Sequence, residues 1–328
     1  MVVGLLNQIV PTEGHGPLWK FFMDIRAEGF SSTWGYYLGG VHNFMNPQYI
    51  SNPQHWYSGV DFQLYCLTVY FVMKLERTGR QSALIALALG AMVLTYVQTE
   101  LMDLPAGLLY FVPLVPFRSA SKIWKIYYTP HAHFPSYVLG ILTGFHYSRH
   151  GAWRPGKSLQ AVLWLASVLG MSFALFGSKM WVPNNIPSTA TTALFAATHR
   201  FLFSLGVSWL IFACLTGRGG FITSVLSWKM WQPFSKLSFS AYLIHDFIVY
   251  FQWLSLRSRI SGKSFHMASM VAGNWIFSFV AAWFFHATIE KPIALVVSCI
   301  ERRMVEQTGR SQEEESDRQH RDKRNKNI

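Results

Sequence analysis

Apolar residues recur along the chain in long runs, separated by short segments that contain Gly, Pro and charged residues. Each run is close to the ~20 residues that a helix needs to cross ~30 Å of hydrocarbon. A helix suits this environment because it satisfies its own backbone hydrogen bonds inside the lipid. We therefore predict an all-α, polytopic transmembrane helix bundle with about seven full spans, at Trp56–Leu75, Ser82–Thr99, Pro135–Tyr147, Ser158–Phe176, Ala190–Leu215, Leu237–Leu254 and Met267–Ala287.

Small residues inside these runs predict packing rather than chemistry. Gly140 and Gly144 in the third run have the small-xxx-small spacing that lets two helix backbones approach closely. The three cysteines, Cys66, Cys214 and Cys299, lie in or beside apolar runs and form no CxxC or Cys/His motif. We expect them to act as small core hydrophobes, and the sequence predicts no metal site.

The composition supports a membrane protein. Hydrophobic residues make up 51% of the 328 residues and charged residues only 13%, and the mean hydropathy is +0.21. These values are too apolar for one soluble core of this size.

The formal net charge of +12 comes largely from short loops. Lys74–Arg80, Ser148–Lys157 and Gly217–Lys236 lie on one side of the membrane if the spans alternate, together with the tail that starts at Glu301. The positive-inside rule makes that side cytoplasmic, although Arg257–Lys263 would then be a basic loop on the other side. We expect a multi-pass protein of the plasma membrane or an endomembrane, with a cytoplasmic C-terminal tail. A nucleic-acid partner is not expected, because no basic face of a soluble domain can be drawn.

Three regions follow from this pattern. Residues 1–55 are predicted to hold a partial span and an interfacial extracytoplasmic segment, residues 56–301 the transmembrane domain, and residues 302–328 a disordered, charged tail. The first residues lack the basic start of a signal peptide and resemble the end of a span. We therefore expect the chain to be truncated at its N-terminus.

Polar residues inside the spans are the candidate site, because an ionisable group in lipid is costly unless it faces the bundle interior or a wet cavity. They lie in four places: Asp61 with Gln63, His199 with Arg200, Tyr242 with His245 and Asp246, and His286 with Glu290. We predict that Asp61, Arg200, His245 and Glu290 point into one shared interior, and we favour His245 over its neighbour Asp246.

These side chains fit more than one function. A histidine can take a proton from an attacking hydroxyl, a carboxylate can orient it, and an arginine can stabilise an oxyanion or bind a phosphate-bearing donor. The same set could bind a solute or relay protons in a transporter. Structural roles are also open, with Asp61 as a helix cap, Arg200 as an anchor between helices and Glu290 beside a kink.

The order of the motifs resembles the membrane acyltransferase 3 family, in its animal nose-resistant-to-fluoxetine-like branch. The resemblance covers most of Gly16 to Met304, and its most specific part is the long ordered stretch from Arg200 to His245. The matching segments are "HWYSGVDFQLY" at 55–65, "YYTPHAHFPSYVLGILTGF" at 127–145, the stretch from "ALFAATHRFLF" at 193–203 to "FSKLSFSAYLIHDFIVYF" at 234–251, and "ATIEKPI" at 287–293.

The resemblance implies an integral membrane O-acyltransferase, or a fragment of one. It would transfer an acyl group from an acyl-CoA-type donor to a hydroxyl of a lipid, glycan or other acceptor. Acyl-CoA would be a co-substrate, no cofactor would be bound, and membrane lipids would be partners. The resemblance carries the family's motifs onto Asp61 and Gln63, Arg200, His245 and Glu290. The candidate catalytic residues are then His245, Asp61 and Glu290, and the candidate substrate-binding residues are Arg200, Gln63, Tyr242 and His199.

Two departures from the family bear on activity. The family's earlier spans carry an arginine and a histidine that this sequence does not match, and His133 stands where the family commonly has an arginine. The chain is then either part of a longer active enzyme or a degenerate member. A transporter of lipids or small molecules and an inactive membrane scaffold remain the alternatives.

Overall fold

The computed structural model describes residues 16–45, 53–104, 124–180, 187–258 and 262–307, except positions 18, 80, 152 and 306. In these ranges the regular elements are all helical, as the sequence predicts. The helices are α1 Trp19–Leu38, α2 Trp56–Thr78, α3 Ser82–Leu101, α4 Pro130–His150, α5 Lys157–Phe176, α6 Thr189–Leu215, α7 Phe221–Leu226, α8 Trp231–Leu254 and α9 Ser264–Phe285. Short 3-10 turns lie at His42–Phe44, Pro53–His55 and Gly177–Met180, and a π-helical turn follows α9 at His286–Glu290.

The chain forms two compact units, Met1–Lys229 and Met230–Ile328. In the first unit α6 packs on α3, α4 and α5, and α3 also packs on α4. The side chain of Ser188 accepts a hydrogen bond from the Thr191 backbone N–H at 3.3 Å, so a serine caps the start of α6. A core of Val60, Leu64 and Leu84 with neighbours from α4 joins α2, α3 and α4.

Among the described residues four helices are long and apolar enough to cross a membrane: Ser82–Leu101, Lys157–Phe176, Thr189–Leu215 and the continuous helix Ser264–Val305. Their apolar side chains are widely exposed, with Leu165 and Leu169 of α5 about 60% and 59% accessible. Such faces suit contact with lipid chains.

Helices also occupy the other three predicted spans, where α2, α4 and α8 lie, but these carry more polar residues. In α4, for example, His131, His133 and His146 lower the hydropathy. The described residues therefore support four spans, and a total of about seven stays a prediction.

Close helix packing occurs at glycines other than those that the spacing rule indicated. A Cβ atom on Gly140 or Gly144 would meet nothing within 4 Å among the described residues. A Cβ on Gly206 of α6 would instead lie 2.7 Å from the Met171 side chain and 2.9 Å from the Ser167 carbonyl oxygen of α5. The small-residue contact is thus between α5 and α6, because the actual neighbour of each glycine depends on which helices the fold brings together.

The segment before α2 is held by two buried histidines. His42 Nε2 donates to the His55 carbonyl oxygen at 2.7 Å, and the Tyr37 ring stacks on the His42 ring with centroids 4.3 Å apart. Burial lowers the pKa of both imidazoles, that of His55 to about 3. The charges of His42 and Arg26 act on His55 in the same direction. Both rings are therefore neutral at pH 7.

The second unit consists of α8 packed on α9 and the π-helical turn. Ser240 of α8 is fully buried, and its hydroxyl donates to Oε2 of Glu290. His286 Nδ1 donates to the same oxygen at 3.0 Å. One carboxylate oxygen thus joins α8 to the end of α9.

Candidate functional site

Arg200 lies in the interior of α6 and has no counter-ion among the described residues. Its Nη1 atom is buried and has no hydrogen-bond partner among the described residues. Its Cζ atom lies 5.9 Å from the ring centroid of Tyr127, and Ser136 of α4 donates to the Arg200 carbonyl oxygen at 3.3 Å. A buried cation without a carboxylate is costly, and such groups commonly mark functional sites.

The Arg200 charge acts on three histidines, His131, His133 and His199. His131 Nε2 donates to Gln98 Oε1 at 2.7 Å. The other two rings donate to backbone carbonyl oxygens. The bond from His133 Nε2 to Tyr127 is 2.9 Å long, and that from His199 Nδ1 to Phe195 is 2.6 Å long. Each of these bonds fixes a tautomer, so in the neutral ring the second nitrogen keeps its lone pair and can accept a proton.

Aromatic rings hold these histidines in place. The His133 ring stacks on Trp56 with centroids 4.9 Å apart, and the His199 ring stacks on Phe195 at 4.7 Å. Tyr127 closes the same side, 4.6 Å from Trp56. Burial raises the pKa of the Tyr127 phenol and the Arg200 charge opposes this, so the phenol stays protonated at pH 7. The Tyr127 phenol is thus a neutral hydroxyl group near Arg200.

Asp61 reaches the same region through a cavity of about 270 Å³. The cavity is lined by Asp61, His133 and Ser136, together with Trp56, Tyr57, Val60, Leu64 and Tyr137. Ser136 also bonds the Arg200 backbone, so the cavity adjoins the arginine cluster. The structure therefore brings the predicted residues Asp61, Arg200 and His199 to one region, although they are far apart in sequence.

Gln63, also predicted to bind substrate, makes structural contacts. Its Nε2 donates to the Gly40 carbonyl oxygen and to Asn43 Oδ1, each at 2.6 Å, and its Oε1 accepts from Asn43 Nδ2 at 3.3 Å. Asn43 Nδ2 also donates to the Tyr128 carbonyl oxygen at 3.0 Å. These bonds tie the segment before α2 to the chain before α4, and a role in binding stays a prediction.

The remaining predicted residues belong to the second unit. His245 is half-buried, and its Nδ1 donates to the Tyr242 carbonyl oxygen at 2.6 Å, so Nε2 is the nitrogen that can accept a proton. The Tyr242 ring lies 5.6 Å from the His245 ring. Glu290 is engaged by Ser240 and His286, as described above. An interior shared by these residues with Asp61 and Arg200 stays a prediction.

Two residues near Arg200, His131 and Ser136, were not among the predicted site residues. His133 was expected only as a departure from the family pattern. The signal was present in "PHAHFPSY", where two histidines precede the span predicted at Pro135–Tyr147 and a serine lies at its start. Their spacing does not say which helix each side chain contacts. In the fold His131 bonds Gln98 of α3, His133 stacks on Trp56 of α2, and Ser136 bonds the Arg200 backbone of α6. Within the described residues no three of His, Cys, Asp or Glu are grouped as metal ligands. The Nη1 donor of Arg200, which has no partner among the described residues, suits an anion as its ligand.

Comparisons with known proteins identify the family of this chain. A family model described as "Acyltransferase domain" matches residues 4–288. The Caenorhabditis elegans protein named "Nose resistant to fluoxetine protein 6" is 26% identical over 301 residues, which cover 85% of this chain and 35% of that protein. The chain thus spans about a third of the length of this curated relative. No solved structure matches the chain. The extent of the family match and the apolar helices show that the chain is a multi-pass membrane protein and belongs to the acyltransferase 3 family.

Proposed function

We propose that this chain supplies the transmembrane core of an enzyme that transfers an acyl group to a hydroxyl. The donor is an acyl-CoA-type thioester, and the acceptor is a hydroxyl of a lipid or glycan. The observation that carries the proposal is the buried Nη1 donor of Arg200, which has no partner among the described residues and whose charge acts on three histidines of fixed tautomer. The C-terminal tail lies in the cytoplasm, as the distribution of basic loops indicates.

The proposed reaction needs a base and a group that stabilises negative charge. The acceptor hydroxyl gives its proton to an imidazole nitrogen as its oxygen attacks the thioester carbonyl. The resulting oxyanion is stabilised by the Arg200 guanidinium, which is already desolvated and needs no reorganisation. When the intermediate collapses, the carbon–sulfur bond breaks and the imidazolium returns the proton to the departing thiolate. The products are the ester and the free thiol.

His133 is the base that the geometry of the first unit favours. It lines the same cavity as Asp61, its Nε2 is engaged by the Tyr127 carbonyl oxygen, and its Nδ1 is the proton-accepting nitrogen. The carboxylate of Asp61 can hold the acceptor hydroxyl or stabilise the imidazolium that forms. His245, with its open Nε2, is the competing candidate for the base and comes from the sequence resemblance.

The test uses membranes that contain the full-length parent protein and an acyl-CoA with a labelled acyl group. We expect labelled ester to accumulate, and His133→Gln to reduce its rate at least a hundredfold, because Gln cannot accept the proton. His150→Gln, at an exposed histidine of α4, serves as the matched control and should leave the rate unchanged. If His245→Gln abolishes the rate and His133→Gln does not, the base is His245. Uptake of a solute without any acylated product would contradict the enzyme and favour a transporter.

A further inference from the structure

A second cavity lies at the other end of the first unit and takes no part in the site above. It has a volume of about 380 Å³ and lies between α4, α5 and α6. Its mouth is formed by His146, Trp153 and Phe212, near the ends of α4 and α6, and its floor by Leu139 and Leu205. At 1.5 Å per residue, mouth and floor are ~10 Å apart along the helices. The cavity is thus a narrow slot that leads from one end of the bundle toward its interior.

Most of the slot wall is apolar, and its polar residues are Gln81, Thr143, His146, Ser167, Ser208 and Trp209. Leu142 and Leu163 line it together with the small residues Ala166 and Ser208. Trp209 also lines it, is 9% exposed, and its Nε1–H has no hydrogen-bond partner among the described residues. An indole N–H can only donate. A ligand in this slot therefore needs an acceptor oxygen about midway along an otherwise apolar chain.

The mouth of the slot is positively charged. Arg149 at the end of α4, Arg154 and Lys157 before and at the start of α5, and Arg218 after α6 all lie at this end of the unit. Arg218 Nη1 is buried and unpartnered among the described residues, and the residues that line the slot include no Asp or Glu. This is the end that the positive-inside rule assigns to the cytoplasm. The charge is complementary to an anionic headgroup.

We propose that this slot binds one acyl chain of an anionic phospholipid from the cytoplasmic leaflet. The phosphate lies at the basic mouth, the ester carbonyl of the chain accepts from Trp209 Nε1, and the methylene chain fills the slot down to Leu139 and Leu205. Trp209 lies between mouth and floor, where an ester carbonyl follows the headgroup into the membrane. Trp209 and Arg200 are separated by ~13 Å along α6. A carbonyl held at Trp209 therefore cannot react beside Arg200, and the slot is a lipid site distinct from the proposed transfer centre.

The test measures lipid binding by the purified full chain in a neutral detergent, with native mass spectrometry of the lipid adducts. Phosphatidylglycerol is titrated against phosphatidylcholine with the same chains, and diester phosphatidylglycerol against its diether analogue, which has the same head and chains but no carbonyl. We expect a preference for phosphatidylglycerol over phosphatidylcholine. The diester should bind about threefold to tenfold more tightly than the diether, as the loss of one hydrogen bond predicts.

Three substitutions then locate the site. Trp209→Phe should remove the advantage of the diester over the diether, because it deletes the N–H and keeps most of the packing. Ala166→Phe fills the slot from α5 and Ser208→Phe fills it from α6, and each should abolish the preferred adduct. Ala161→Phe, at an exposed position of α5 outside the slot, is the matched control and should bind as the parent chain does.

The comparison of the two phosphatidylglycerols needs no substitution, so the inference is tested even if a variant fails to fold. The inference would be overturned if diester and diether bind equally, or if the anionic and zwitterionic lipids bind equally. It would also be overturned if the Ala166→Phe and Ser208→Phe variants both form as much lipid adduct as the parent chain. Displacement of the lipid by acyl-CoA at lower concentration would assign the slot to the acyl donor instead and would also overturn it.

Discussion

Replacing Arg200 by Met distinguishes a functional role of this arginine from a structural one. If Arg200 anchors the bundle, its loss removes stabilising contacts. If it is kept for its charge, Met of similar length fills the same space and relieves the cost of a buried cation. The two possibilities predict stability changes of opposite sign.

The expected change in the free energy of unfolding follows from the surroundings of the Arg200 guanidinium. An arginine at the centre of a membrane costs about 3 kcal/mol on the lenient insertion scale. The contact with the Tyr127 ring, at 5.9 Å, returns about 1 kcal/mol. The bond from Ser136 to the Arg200 carbonyl involves the backbone and survives the substitution. We therefore expect Arg200→Met to raise the free energy of unfolding by about 2 kcal/mol.

Activity should move in the opposite direction. Loss of a preorganised group at the oxyanion costs about 100-fold to 1000-fold in rate, so Arg200→Met should be more stable and nearly inactive. Unfolding in mixed micelles gives the stability, and transfer of a labelled acyl group gives the rate. Arg77→Met, at an exposed arginine near the end of α2, is the control and should change stability by less than about 0.5 kcal/mol. A loss of stability greater than 2 kcal/mol with Arg200→Met would refute the reasoning.

Two further predictions concern pH and the second unit. Burial lowers the pKa of His55 from 6.5 to about 3, so on acidification the unfolded chain takes up a proton before the folded chain does. The His55 contribution should be absent above pH 6.5 and should lower stability by about 1.4 kcal/mol per pH unit between pH 6.5 and 3; His55→Gln should reduce the slope of an unfolding profile by about this amount, and an unchanged slope would contradict it. Glu290→Leu should lower the free energy of unfolding by about 1–3 kcal/mol, because the buried Ser240 hydroxyl loses its acceptor, whereas Glu290→Leu with Ser240→Ala should recover much of the loss. If the double variant is no more stable than the single one, the bond between Ser240 and Glu290 contributes little.

The positions of the helices were predictable because hydropathy acts locally. The runs of apolar residues at 82–99, 158–176 and 190–215 lie within α3, α5 and α6, with boundaries within a few residues. A residue in lipid is selected for its own transfer free energy, whatever its distant neighbours are. The chemistry at Asp61, His199 and Arg200 was also visible in the sequence, because ionisable residues in an apolar run are conspicuous.

Partnerships between helices were decided by the tertiary structure alone. Gly140 and Gly144 have the spacing for close packing, yet Gly206 makes the close contact, since the rule names a suitable surface without naming its neighbour. Gln63 and Arg200 look alike as polar residues within spans, but Gln63 is satisfied by Gly40 and Asn43 while Arg200 Nη1 has no partner among the described residues.

The proposed roles of His133 and of the slot were not predictable for the same reason, because both depend on which helices become neighbours. A histidine near the start of α4 acquires its role from Asp61 on α2 and Arg200 on α6, which reach it only after the chain has folded. Trp209 gives no sign in the sequence that its N–H will be left unpaired in a cavity between three helices. Membrane insertion depends on each segment alone and can be determined from sequence, whereas a binding site depends on distances between segments, which only packing sets.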